Sequence, residues 1–61
     1  MKQYEVTVPP TMEMGSHSMT VTEDHGETKA EAALWYYNSA RDHDGLPPLK
    51  RMPNGTKYVE R

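Results

Sequence analysis

The feature that most constrains this sequence is a helix whose two ends are both marked by the residues beside them. Thr28-Lys29-Ala30-Glu31 has the form of a capping box, in which the threonine and the glutamate satisfy free N–H groups at the start of a helix. Gly45 suits the left-handed conformation that ends many helices, and Pro47-Pro48 prevents any continuation. We therefore predict a helix from about Lys29 to His43.

The side of this helix that faces a core follows from residue spacing. Positions three and four apart share one side of a helix, and here they form a stripe of Ala30, Ala33, Leu34, Tyr37 and Ala40. Trp35 falls outside the stripe, toward Asn38. Either residues 46–52 fold back over Trp35 or its ring is exposed. An exposed Trp35 is a candidate anchor for a partner, because tryptophan and tyrosine dominate the energetics of protein interfaces.

Two segments before the helix alternate as β-strands do. Lys2–Val8 and Ser16–Thr22 place apolar side chains at every second residue, and His17, Met19 and Val21 share one face of the second segment. The first strand stops at Pro9-Pro10, because proline cannot donate a hydrogen bond to a sheet. We expect these two strands to form a hairpin with a long loop.

A third strand is predicted after the helix. Asn54-Gly55 is a dipeptide typical of tight turns, and Thr56–Val59 follows as a strand. Leu49–Met52 either pairs with that strand or is simply extended chain. The order β-β-α-β predicts an α+β fold with one helix packed on a three-stranded, possibly four-stranded, antiparallel sheet.

Size and composition set further limits. We expect 61 residues to form a single domain, 1–61. Such a short chain buries only about 60% of the surface that its unfolded form exposes, so that a partner or a homodimer would add needed stability. The absence of cysteine excludes disulfides and cysteine-based metal sites. Without a signal-like start or an apolar stretch of about 20 residues, a soluble, cytoplasmic protein with no membrane partner is predicted.

No pattern in the sequence predicts catalysis or a bound cofactor. A glycine-rich phosphate loop, a Gly-x-Ser-x-Gly turn and a His-Glu-x-x-His motif are all missing from the sequence. Copper is a minor alternative, because Met12, Met14, Met19 and His17 combine thioethers with an imidazole, and these are ligands that suit Cu(I). The competing interpretation, which we favour, is that Met19 and one of Met12 or Met14 fill gaps in the core. We predict a non-enzymatic protein with no metal site.

Charge is divided unevenly along the chain. Residues 1–44 carry a net charge of −5 and residues 45–61 carry +3. The basic residues of the second part can guide an acidic protein partner. Alternatively they contact nucleic-acid phosphates while Tyr58 stacks on a base, although an isoelectric point near 5.8 is unusual for a nucleic-acid-binding module. The predicted partner-binding residues are Trp35, Tyr36, Lys50, Arg51, Lys57, Tyr58 and Arg61.

One stretch gives the chain a resemblance to a known family. Glu27-Thr28-Lys29-Ala30-Glu31-Ala32, then Trp35, then Lys57 and Arg61 resemble the layout of small phage-encoded inhibitors of host machinery, nearest the T7-type inhibitor of bacterial RNA polymerase. The match covers about half of the chain, and the tryptophan stands at a different spacing. The resemblance implies a phage-type regulator or inhibitor that binds a host protein complex, such as RNA polymerase, in the host cytoplasm.

Overall fold

A computed structural model of the chain describes residues 2–23 and 28–61. These residues form strands β1 and β2, then helix α1, then strand β3, with the bounds Lys2–Val8, His17–Glu23, Lys29–His43 and Lys57–Glu60. The predicted α+β class and the order β-β-α-β are confirmed. Residues 24–27 lie outside the described residues, and they include Glu27, the first residue of the resemblance.

The three strands form an antiparallel sheet in the order β2-β1-β3, with β1 in the centre. Both β2 and β3 begin and end one residue later than predicted. Thr56 precedes β3 because its backbone N–H and its hydroxyl both donate to the carbonyl of Pro53, at 3.4 and 2.7 Å, and form a turn. Residues 49–52 are not a strand, so within the described part of the chain the sheet has three strands rather than four.

The core lies between the sheet and α1. Strand register places Tyr4 opposite Val21 and Val6 opposite Met19 on the side that faces the helix. The predicted face of β2 is therefore correct, and it joins the apolar face of β1. The buried hydrophobic residues are Tyr4, Val6, Val8, Val21, Ala32, Ala33 and Tyr37.

The buried side of α1 differs from the predicted stripe at three positions, one of which is Ala32, a buried residue outside the stripe. Ala33 and Tyr37 are fully buried as expected, and Leu34 and Ala40 are partly buried. Ala30, however, is exposed, and the core side of the helix ends instead with Arg41, one turn after Tyr37. The stripe omitted Arg41 because it was drawn through apolar residues, and a cation is buried only where polar partners receive it.

Both predicted ends of the helix are confirmed. The hydroxyl of Thr28 accepts from the N–H of Glu31, and the carboxylate of Glu31 accepts from the N–H of Thr28, each at 3.2 Å. At the other end Gly45 has a φ of 77°. The N–H groups of Gly45 and Leu46 donate back to carbonyls of the last helical turn, at 3.0 and 2.8 Å. This pair of bonds is a Schellman motif, which needs the left-handed residue that glycine provides.

Candidate protein-binding surface

Two aromatic side chains are exposed next to each other on α1. Trp35 is 67% exposed and Tyr36 is 52% exposed. Adjacent residues on a helix normally diverge, yet these two rings meet edge to face, with centroids 5.0 Å apart and planes at 87°. The two side chains therefore form one patch, which we call the aromatic pair.

Ala32 lies directly below the aromatic pair in sequence terms, three and four residues before it. Side chains on a helix lean toward its N-terminus, so each covers the turn that precedes it. This direction places both rings toward Ala32, which is only 4% exposed.

Residues 46–52 do not cover Trp35, and the exposed alternative is the correct one. The segment is held beside α1 by Asn38, whose side-chain amide donates to the carbonyl of Leu49 at 3.0 Å. The same side chain accepts from the N–H of Leu49 at 2.8 Å. Asn38 therefore pairs with the backbone of Leu49 as a neighbouring strand would, and it keeps the segment to one side of the tryptophan.

The exposed cations Lys50 and Arg51 lie close to this side of the helix. They line a small groove between α1 and the segment, together with Ala30, Glu31, Leu34 and Met52. Trp35 lies in a separate shallow depression with Asn38, Ser39 and Asp42. Asn38 connects the two sites, because it also bonds to Leu49, the residue before Lys50. We call the aromatic pair, this depression and the groove together the α1 surface.

Lys57 and Arg61 belong to a different side of the molecule. Lys57 lies opposite Thr7 in the register, and these positions alternate with the core-facing ones, so their side chains point away from the helix. Arg61 continues this side: its N–H donates to the carbonyl of Gln3 at 2.8 Å, and its guanidinium lies 3.8 Å from the carboxylate of Glu5. We call this polar side of the sheet the open sheet face.

Tyr58 belongs to neither exposed surface. It lies opposite Val6, on the helix-facing side of the sheet, where it is partly buried against the core. Burial raises the pKa of its hydroxyl above the usual value for tyrosine. The ammonium of Lys29 lies 5.1 Å from the ring centroid of Tyr4 and 5.9 Å from that of Tyr58. The seven predicted residues are therefore divided among the α1 surface, the open sheet face and the edge of the core.

The four residues of the copper alternative differ in their exposure and contacts. Met12 is fully exposed, whereas Met14 and Met19 pack against the core. His17 meets Tyr37 edge to face, with ring centroids 5.9 Å apart. The gap-filling interpretation thus describes Met14 and Met19. Among the residues that the structure describes, no three or more His, Cys, Asp or Glu side chains are grouped as they would be around a metal ion.

A buried cation that the sequence analysis missed helps to fix the α1 surface. Arg41 is 2% exposed, and its Nε donates to the carbonyl of Pro47 at 2.7 Å. Its Nη1 donates to Glu13 at 2.8 Å. Arg41 stands four residues after Tyr37 and eight after Ala33, so helical spacing already placed it on the core side. This contact holds the start of segment 46–52 against the helix.

Comparison with known proteins finds no match, so a functional proposal for this chain depends on these surfaces. No protein-family model matches the chain, and neither a curated protein nor a solved structure is significantly similar to it. No helix within residues 2–23 and 28–61 has both the length and the apolar character needed to cross a membrane.

Proposed function

We propose that this chain is a non-enzymatic binding protein that docks on another protein through the aromatic pair. The observation that carries the proposal is the exposure of Trp35 and Tyr36 in mutual contact on the outer side of α1. Aromatic rings supply a large part of the energy of protein interfaces, and tryptophan and tyrosine are enriched among the residues that matter most. The pair is also attached to a helix with both ends capped, so little conformational freedom is lost when a partner binds.

Lys50 and Arg51 support a partner with an acidic surface. They line the groove between α1 and the neighbouring segment, in the part of the chain with net charge +3. Cations at the rim of an interface speed association and orient a partner of opposite charge.

The resemblance to phage inhibitors suggests the first partner to test. A capped helix carrying a tryptophan after two strands is the shared layout, and Lys57 in β3 with Arg61 just after it would stand in for the inhibitor's strand cations. We therefore propose a small regulator or inhibitor of phage type that acts in the host cytoplasm on a protein complex. Bacterial RNA polymerase is the first candidate.

A protein partner is favoured over nucleic acid by the distribution of the cations. Lys50 and Arg51 lie beside α1, whereas Lys57 and Arg61 lie on the opposite side of the sheet. Tyr58, the residue proposed to stack on a base, faces the helix. A nucleic acid would therefore meet only two of the four cations at once, and phosphate contacts supply much of the affinity of nucleic-acid-binding proteins.

Affinity capture from a bacterial lysate, with this chain as the bait, tests the proposal. Purified RNA polymerase is a second target for the same bait. We expect Trp35→Ala to reduce the captured partner at least tenfold. The matched control is Val59→Ala, because Val59 is a 61% exposed apolar residue on the open sheet face. If wild type, Trp35→Ala and Val59→Ala capture the same partners equally, the aromatic pair is not the anchor.

Titration with labelled DNA and RNA tests the alternative. Phosphate-driven binding weakens steeply as salt rises, so it is strongest at low salt. We expect no retarded complex with either nucleic acid at low salt. A salt-sensitive complex there would favour nucleic-acid binding over the proposed function.

A further inference from the structure

The size of the groove on the α1 surface limits the kind of group that it can bind. It lies between the first half of α1 and residues 50–52, with Ala30, Leu34 and Met52 as its apolar lining. Its volume is about 200 Å³. Sites for cofactors and drug-sized ligands usually measure about 300–1,000 Å³. The groove is therefore too small for such a ligand, and it suits a single side chain.

The walls of the groove are held in place by contacts described above. Leu34 is partly buried on α1, and Met52 is partly buried against the core. Asn38 fixes the backbone of Leu49 through two hydrogen bonds, immediately before the residues that form the second wall. An apolar side chain entering the groove thus meets a preformed surface, and the groove residues lose little conformational freedom when it binds.

The rim of the groove is cationic. Lys50 and Arg51 are exposed, and no acidic side chain among the described residues lies within ion-pair distance of either one. Glu31 also lines the groove, but its carboxylate accepts from the N–H of Thr28 and is directed at the start of the helix. The aliphatic stems of Lys50 and Arg51 extend the apolar lining, and their charges stay at the rim.

We propose that this groove binds one apolar side chain from an acidic segment of the protein partner, with carboxylates on either side of that residue paired to Lys50 and Arg51. This inference rests on the proposed function, because it assigns the segment to the partner that contacts the aromatic pair. An apolar lining inside a positive rim complements an apolar residue among carboxylates. Nucleic acid offers phosphates for the rim but no aliphatic side chain for the lining.

A synthetic nine-residue peptide of glutamates with one central leucine is the probe. It is titrated into ¹⁵N-labelled protein up to about 1 mM, the weakest affinity worth assigning to a specific contact. We expect the amide signals of Ala30, Leu34 and residues 50–52 to shift. Two control peptides separate the components: serine replaces the leucine in one, and glutamine replaces the glutamates in the other. Each should bind at least tenfold more weakly.

Matched variants of the protein distinguish specific binding at the rim of the groove from non-specific electrostatic attraction of the peptide. Lys50→Glu with Arg51→Glu and Lys57→Glu with Arg61→Glu change the net charge equally, but on opposite sides of the sheet. The first pair should weaken peptide binding at least tenfold, and the second should change it less than twofold. Ala30→Leu fills the groove at an exposed helical position without changing charge, and it should weaken binding at least fivefold. A thermal unfolding curve confirms that each variant is folded.

The inference is wrong if the peptide causes no shifts at 1 mM, if both charge-reversed variants lose binding equally, or if the serine peptide binds as well as the leucine peptide. It is also wrong if single-stranded DNA shifts the groove signals and the peptide does not. Failure of the proposed function looks different. In that case Trp35→Ala captures partners as the wild type does, whatever the peptide titration shows.

Discussion

Nη1 of Arg41 lies 2.8 Å from a carboxylate oxygen of Glu13, and this contact joins the last turn of α1 to the loop between β1 and β2. The two partners differ in exposure, at 2% for Arg41 and 49% for Glu13. Because the same guanidinium also donates to Pro47, one buried cation ties the helix, the hairpin loop and the segment that leads to the α1 surface.

Removing the side chain of Glu13 should destabilise the protein more than is usual for a half-exposed residue. Glu13→Ala leaves the buried guanidinium without its counter-charge, and hydrogen bonds to charged groups are worth about 1.5–3 kcal/mol. We expect a loss of that size in the free energy of unfolding, measured in urea, and a smaller loss for Glu13→Gln, which keeps an acceptor oxygen. The control is Glu5→Ala, since Glu5 and Arg61 are both about half exposed and 3.8 Å apart. It should cost less than about 1 kcal/mol, and equal losses at Glu13 and Glu5 would contradict the assignment.

Removing the hydroxyl of Tyr37 should leave the protein equally stable or more stable. The side chain is fully buried, and none of the described residues forms a hydrogen bond with its hydroxyl. A buried polar group without a partner costs about 1–3 kcal/mol. We therefore expect Tyr37→Phe to raise the free energy of unfolding by about 0–1 kcal/mol in urea denaturation. A loss greater than about 1 kcal/mol would mean that the hydroxyl has a bonding partner, such as an enclosed water.

Substitution of two glycines should have opposite effects. Gly45 has a φ of 77° at the end of α1, whereas Gly15 has a negative φ, and a Cβ there would meet no atom within 4 Å. Gly45→Ala should destabilise the protein by about 1 kcal/mol, because side chains disfavour the left-handed conformation. Gly15→Ala should be neutral or stabilising by about 0.4–1 kcal/mol, because it restricts the unfolded chain. Thermal unfolding of both variants checks this, and a larger loss at Gly15 would contradict it.

Burial of Tyr58 predicts a loss of stability at alkaline pH. The raised pKa means that the folded protein keeps the phenolic proton at a pH where the unfolded chain has released it. The contribution is fully present below about pH 10, the value for an unfolded tyrosine, and it is lost as pH rises through the folded pKa. Wild type should therefore lose stability more steeply above pH 10 than Tyr58→Phe. Urea unfolding at pH 9, 10 and 11 compares them, and parallel pH profiles would contradict the prediction.

Exposure of Trp35 predicts a specific fluorescence behaviour. Trp35 is the one tryptophan of the chain and is 67% exposed. Its emission maximum should lie close to that of the urea-unfolded protein, and acrylamide should quench both states with similar efficiency. Trp35→Ala should change the free energy of unfolding by less than about 1 kcal/mol, as expected for an exposed side chain. A blue-shifted and protected emission would show that the ring is covered.

Features that neighbouring residues decide could be predicted from the sequence. The bounds of α1 follow from Thr28 and Gly45, whose effects act within a few residues of each helix end. The core faces of β1 and β2 follow from alternation, because a one-residue shift would turn every side chain to the other side. Asn54-Gly55 predicted a turn correctly, although only Gly55, with a φ of 89°, takes the left-handed conformation.

Features that depend on distant residues could not be predicted. Burial of Arg41 requires Glu13, which is 28 positions away in the chain. The path of residues 46–52 depends on Asn38, an unremarkable helical position whose amide has the geometry to pair with a backbone. Both alternatives for Trp35 therefore stayed open, because its exposure depends on where that segment runs. Division of the cations between two surfaces likewise follows from strand order and not from spacing.

The central place of β1 has a consequence for the order of folding. Its partner β2 is close in sequence, and α1 is stabilised by local contacts, so the hairpin and the helix can form early. Pairing of Val6 with Tyr58, in contrast, closes a loop that contains most of the chain, and long loops are slow to close. We therefore expect docking of β3 to be the late step, and until it occurs one side of the central strand would have unpaired backbone groups available to another extended chain.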